Sequence, residues 1–161
     1  TFPNLTVRVL SAVPLTIRLL PAILFLVAIF LSFSTGTSWG TFAILVPIAI
    51  AMFPGADNMQ MMIIAVASVL SGAVCGDHVS PISDTTVMSS AGAQSNHINH
   101  VTTQMQYAVV VAVVSAIGYV IAGFVHIWWL VLGISAVLLL VVLFVIKAVT
   151  SDEKDGVKKR A

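Results

Sequence analysis

Asp77, His78 and Asp84 stand within "GAVCGDHVSPISDTT" (residues 72–86), interleaved with Ser80, Ser83, Thr85 and Thr86. Carboxylate and hydroxyl oxygens are the ligands a hard cation takes. A carboxylate also takes a proton. Loss of water disfavours its ionised form and a bound cation favours it. One Asp in a half-dry cavity therefore holds a cation or a proton, but hardly both, and that competition is the minimal chemistry of cation/proton exchange. A second polar cluster lies at "STGTSWGT" (34–41), where Thr35, Thr37, Ser38 and Thr41 offer hydroxyls and Gly36 and Gly40 allow tight backbone turns.

These clusters sit in a chain of membrane character. Of 161 residues, 59% are hydrophobic and 8% charged, with a mean hydropathy of +1.09; a soluble domain carries roughly a quarter charged residues. The net charge of +1 gives no reason to expect a nucleic-acid partner. Cys75 is the single cysteine, so no internal disulfide framework exists. Between Arg18 and Lys147 the charged residues are Asp57, Asp77 and Asp84. A mid-membrane Asp costs about 2.5–3.5 kcal/mol, and such residues normally face a bundle interior or a wet cavity. Asp57 falls in the Pro-Gly turn "FPGADN" and reads as a solvated loop acid.

A spanning helix needs about 20 apolar residues. Residues 127–146 meet that, with Trp128 and Trp129 as interfacial anchors, and 101–125 give a second span. The short "GFVHIWW" joins them as an antiparallel pair, with His126 at the interface. Earlier apolar runs are shorter: residues 19–33 number 15 and 42–53 number 12. Two short arms around the polar tip at 34–41 predict a re-entrant hairpin, a backbone tolerated only inside protein or beside water. Residues 60–75 read as helix, Gly76 and Pro81 as interruptions, and 83–93 as a resumed helix. Such discontinuous helices build midplane sites in transporters, and Ser83 or Asp84 is placed to cap the second half.

At the same residues a family is visible. "GTSWGTF" (36–42), "GAVCGDHVSPISDTT", "SSAGA" (89–93) and "NHINHVTTQMQYA" (96–108) closely resemble the NhaC-type Na⁺/H⁺ antiporters, over roughly residues 20–125. The resemblance implies the ion-transporter superfamily, whose fold has two inverted repeats, each with a re-entrant hairpin and a broken helix. The expected fold is then an all-α membrane protein, one repeat of an inverted-repeat transporter: a re-entrant hairpin, a discontinuous helix and two further transmembrane helices. Residues 1–150 form the transporter domain, the C-terminal repeat of a longer protein, and 151–161 a charged cytoplasmic tail. The expected partners are Na⁺, H⁺, the lipid of the inner (plasma) membrane, the N-terminal half of the same protein, and a second copy as a candidate homodimer. No resident cofactor or metal is expected. Members of the superfamily also exchange Na⁺ or H⁺ against organic acids or amino acids, so the resemblance leaves the substrate open.

Competing readings remain at the level of residues. The two Asp residues could cap helices and satisfy bent backbone, His78 could be an interior histidine or a proton relay, and the tip hydroxyls could serve the turn alone. Ser80, His78 and Asp84 spell a hydrolytic triad on paper, but a triad is defined by geometry. His97 and His100, at i and i+3, could form half a metal site, or simply a solvated helix start. A structural accessory subunit would leave two polar elements at membrane depth unexplained. Within the transport reading, the neighbours of Asp84 offer most oxygen ligands and Asp77 adjoins His78. Asp84 is therefore expected to help bind the cation and Asp77 to carry or gate the proton. Trp39 is expected to be a packing wedge. Lys158, Lys159 and Arg160 place the C-terminus in the cytoplasm by the positive-inside bias, with Arg8 and Arg18 on the opposite side.

Overall fold

The computed structural model describes residues 2–53, 58–125 and 127–158, with side chains from 15–53, 58–125 and 127–148. Asp57 and His126 lie outside the described residues. Among the described residues six helices follow one another: α1 (Phe2–Thr35), α2 (Ser38–Ala51), α3 (Met59–Val79), α4 (Asp84–Gly92), α5 (His97–Phe124) and α6 (Trp128–Lys158). Four contain apolar stretches long enough to cross a membrane: Leu15–Thr35, Met59–Val79, His97–Phe124 and Trp128–Ala148.

The first arm of the expected hairpin is longer than the apolar count suggested. Its helix continues through Pro21 and Arg18, giving a 21-residue apolar stretch. The single Arg does not stop it: the guanidinium lies 5.5 Å from the centre of the Phe124 ring, a cation–π arrangement near the end of α5. The second arm, α2, has 14 residues. At 1.5 Å per residue that is about 21 Å, short of a hydrocarbon core of about 30 Å. The charged stretch from residue 151 is continuous with α6 as helix to Lys158.

Directions follow from the contacts. A methyl placed at Gly72 would meet Phe25 and Ala28, one at Gly76 would meet Ile29 and Phe33, and one at Gly36 would meet Ile82. The two sequences of partners rise together, so α1 and α3 are parallel. α2 returns antiparallel to them after a two-residue turn and packs alongside both, with Leu45, Ala49 and Phe53 in a buried cluster with Leu24, Ala28, Ala65, Val69 and Ala73. α5 runs opposite to α1: Tyr119 stacks on Phe25 at 5.2 Å, and Gly123 packs against the backbone of Arg18. α6 pairs with α5 where Ser135 fills the space above Gly118, as the "GFVHIWW" link predicts. The apolar window of α6 is otherwise unburied within the chain.

The helix break differs from expectation at one end. Gly76 is helical and buried, and α3 continues to Val79. Glycine in a helix interior costs about 1 kcal/mol against alanine, and here it lets two backbones touch. The break is Ser80–Ser83. Pro81 disfavours helical backbone at the preceding residue, and Ser80 is extended at φ −72°, ψ 129°.

Candidate functional site

The turn between α1 and α2 meets the break between α3 and α4. Gly36 has φ +69°, and a Cβ there would lie 2.8 Å from the Ile82 carbonyl oxygen. This position demands glycine twice, for its left-handed backbone and for the close approach. Ser80 is fully buried and donates to the Phe33 carbonyl at 2.8 Å, tying the break to α1. His97, in the first turn of α5, places Nε2 at 2.7 Å from the Pro81 carbonyl oxygen. The break is thus held from two sides.

Asp77 stands at the centre of this junction. Ser83 donates to its Oδ1 at 2.6 Å and Ser38 to its Oδ2 at 3.3 Å. Thr85 Oγ1 lies 2.8 Å from Ser83 Oγ; with the Ser83 hydrogen committed to Asp77, Thr85 is the donor. One hydroxyl comes from the hairpin turn and one from the break, so the carboxylate is shared by both polar elements. A carboxylate offers about four lone-pair sites, and hydroxyl donation to each oxygen leaves one direction on each for a cation or a proton. Ser83 occupies the N-cap position of α4, but its side chain makes no cap bond because it serves Asp77.

The other predicted site residues fall into distinct places. Thr41 is 1% exposed and donates to the Thr37 carbonyl at 3.1 Å. Thr37 caps α2, its Oγ1 accepting from the Gly40 amide at 3.5 Å. Thr35 bonds back to Leu31 at 2.9 Å. Thr86 is buried and donates to the His78 carbonyl at 3.2 Å. Asp84 lies exposed on the first turn of α4, with no side-chain hydrogen bond among the described residues; of the hydroxyls expected around it, Ser83 bonds to Asp77, Thr85 to Ser83 and Thr86 to the His78 carbonyl. The His78 ring is exposed and has no hydrogen bond to Asp77 among the described residues. Ser80, His78 and Asp84 therefore make no triad: Ser80 bonds to Phe33, and no hydrogen bond joins the three side chains among the described residues. Trp39 is 80% exposed, its ring edge against Phe42 at 5.7 Å, and so wedges between no described elements.

Two residues that sequence reasoning left aside belong here. His97 is a helix-start residue, as "NHINH" allowed, with Asn96 capping α5 through the Asn99 amide at 3.0 Å. Its ring is nonetheless engaged on both nitrogens: Nδ1 lies 3.1 Å from Ser90 Oγ, and Ser90 donates to the Thr86 carbonyl at 2.7 Å. No group of three His, Cys, Asp or Glu side chains surrounds it among the described residues. Because His97 pins the break and the His78 ring has no hydrogen bond among the described residues, His97→Ala is expected to lower the unfolding temperature of the full-length protein in detergent. His78→Ala, measured in parallel, is expected to leave that temperature near wild type. The second residue is Ser32, fully buried on α1 with a hydroxyl that finds no partner among the described residues.

Helices of spanning length and a polar junction of a turn and a broken helix define a multi-pass membrane protein of transporter type. The chain matches the Na⁺/H⁺ antiporter family over residues 1–124 and belongs to it. It is 48% identical over 130 residues, 81% of its length, to an uncharacterized protein of Haemophilus influenzae, covering 25% of that protein. It is 34% identical over 97 residues, 60% of its length, to the malate-2H⁺/Na⁺-lactate antiporter of Bacillus subtilis, covering 20% of it. A third relative, an uncharacterized Na⁺/H⁺ antiporter of Haemophilus influenzae, is 33% identical over 108 residues, 64% of this chain and 22% of that protein. The chain thus spans a quarter or less of the curated relatives it matches. No solved structure matches it.

Proposed function

We propose that this chain is the repeat of a secondary active transporter that exchanges Na⁺ for H⁺, with the two ions competing for Asp77. The observation that carries this reading is the placement of Ser38, from the hairpin turn, and Ser83, from the helix break, on opposite oxygens of one carboxylate. Asp77, Ser38, Ser83 and Thr85 are then the inner set. Ser80, Thr86, Gly36, Thr37, Gly40, Thr41 and Thr35 shape and hold the turn and the break. Asp84 and His78 face the open side, where the N-terminal half of the same protein would stand. This reverses the distribution of roles expected from sequence, because the hydroxyls cluster on Asp77. The short α2 supports a re-entrant hairpin rather than two crossings.

Full-length protein in proteoliposomes tests the exchange: Na⁺ added outside should dissipate an imposed pH gradient, with no response to choline. A second reading, Na⁺- or H⁺-coupled exchange of an organic acid, draws on the similarity to the malate/lactate antiporter. Under it, dissipation would require malate or lactate on one side. For orientation, a cysteine placed after Lys158 should be labelled only from the cytoplasmic face; labelling from outside intact cells overturns the assignment.

A further inference from the structure

Hydroxyls on transmembrane helices commonly bond back to the carbonyl three or four residues earlier. Four on α1 and α3 do so: Ser34 to Phe30, Thr35 to Leu31, Ser68 to Ala65 and Ser71 to Ala67. Ser32 is 0% exposed and does not. An unpaired buried hydroxyl carries its full desolvation cost.

Helix phase places this hydroxyl. Ala28 of α1, Leu45 of α2 and Ala73 of α3 belong to one buried cluster. One helical turn, four residues, leads from Ala28 to Ser32 and from Ala73 to Asp77, since α1 and α3 are parallel. On the antiparallel α2, the same step in space leads back from Leu45 to Thr41. The apolar layer is therefore succeeded by a polar one made of Ser32, Thr41 and Asp77. The Thr41 hydrogen is committed to Thr37, so its free lone pair is an acceptor only. A cation in this layer would meet two buried hydroxyl oxygens and a carboxylate, a hard-ligand set of the kind Na⁺ prefers.

We infer that Ser32 is a further Na⁺-binding residue, its hydroxyl a neutral ligand from α1 to the ion that Asp77 holds. The inference rests on the Na⁺ site proposed above and adds a third element to it. Without the ion, the hydroxyl is unsatisfied; with it, the desolvation cost is offset.

The test compares wild type, Ser32→Ala, Ser32→Cys and Asp77→Asn of the full-length protein in detergent. Two quantities are read: unfolding temperature without Na⁺, and apparent Na⁺ affinity from the rise in that temperature as Na⁺ replaces choline. Ser32→Ala is expected to weaken apparent Na⁺ affinity about five- to tenfold. Its Na⁺-free unfolding temperature should be unchanged or higher, because an unpaired buried hydroxyl has been removed. Ser32→Cys keeps the branching, replaces the hard oxygen with a softer and larger sulfur and should weaken Na⁺ in the same direction. Should one of the two variants fail to fold, the other decides. Wild-type Na⁺ affinity in a folded Ser32 variant, with the Na⁺ response lost in Asp77→Asn, overturns the role of Ser32 alone. A wild-type protein with no Na⁺ response, or one whose response survives Asp77→Asn, overturns the Na⁺ site at Asp77 and this inference together.

Discussion

Asp77→Asn, in correctly inserted full-length protein, is expected to abolish Na⁺-dependent proton exchange. The amide preserves the shape of the side chain but can neither balance a cation nor take up a proton. Removing one partner from a fully buried charge pair costs about 3–5 kcal/mol; Asp77 is half-buried, so the lower end applies, a fall in Na⁺ affinity of roughly two orders of magnitude. Ser83, which donates to Oδ1 at 2.6 Å, could still donate if the amide presents its oxygen, so the fold should survive. Asp84→Asn is expected to reduce exchange less, since Asp84 is exposed on α4, Ser83 bonds to Asp77 and Thr85 bonds to Ser83. Initial rates of Na⁺-driven alkalinisation, normalised to inserted protein, measure both. Loss of Na⁺ binding in Asp84→Asn with retention in Asp77→Asn would restore the opposite distribution of roles.

The second large effect is expected one residue away. Gly76→Ala places a methyl on the Ile29 carbonyl oxygen and within 2.9 Å of the Phe33 amide nitrogen. Neither is the end of a flexible side chain, so α1 and α3 must separate. Overpacking of this kind costs about 1–3 kcal/mol or more. Separation would also draw Phe33 from Ser80 and the turn from Asp77, so exchange should fall with stability. Gly92→Ala is the control, because a Cβ there meets nothing within 4 Å. The expected result is a lowered unfolding temperature and little exchange for Gly76→Ala, with both near wild type for Gly92→Ala.

Much of this arrangement was legible in the chain itself. Apolar length marked α5 and α6, and two aspartates close together in a greasy sequence, Asp77 and Asp84, pointed to the break. Pro81 located it, because proline constrains its predecessor whatever the tertiary context. Gly76 misled because glycine carries two meanings: it weakens a helix, and it lets another backbone approach. Only the position of α1 decides between them. Asp77 and Asp84 pose a similar choice, on which the proposed function departs from the sequence reading. Nearness in sequence favoured Asp84, whereas the helix phase of α3 and the fold of the turn carry Ser38, 39 residues away, to Asp77. Ser32 gave no signal, since a serine in an apolar run looks the same whether it bonds back to its own helix or faces a site. His97 has its partners 7 and 16 residues away, and no local pattern announces them.

The competition of Na⁺ and H⁺ for Asp77 is tested most directly by counting protons released when Na⁺ binds. Weakly buffered full-length protein, free of Na⁺, is titrated with NaCl while pH is followed, against a choline control. The account predicts proton release that saturates with Na⁺, an apparent Na⁺ affinity that weakens as pH falls, and loss of both in Asp77→Asn. Saturable Na⁺ binding without proton release, or release undiminished in Asp77→Asn, would contradict it.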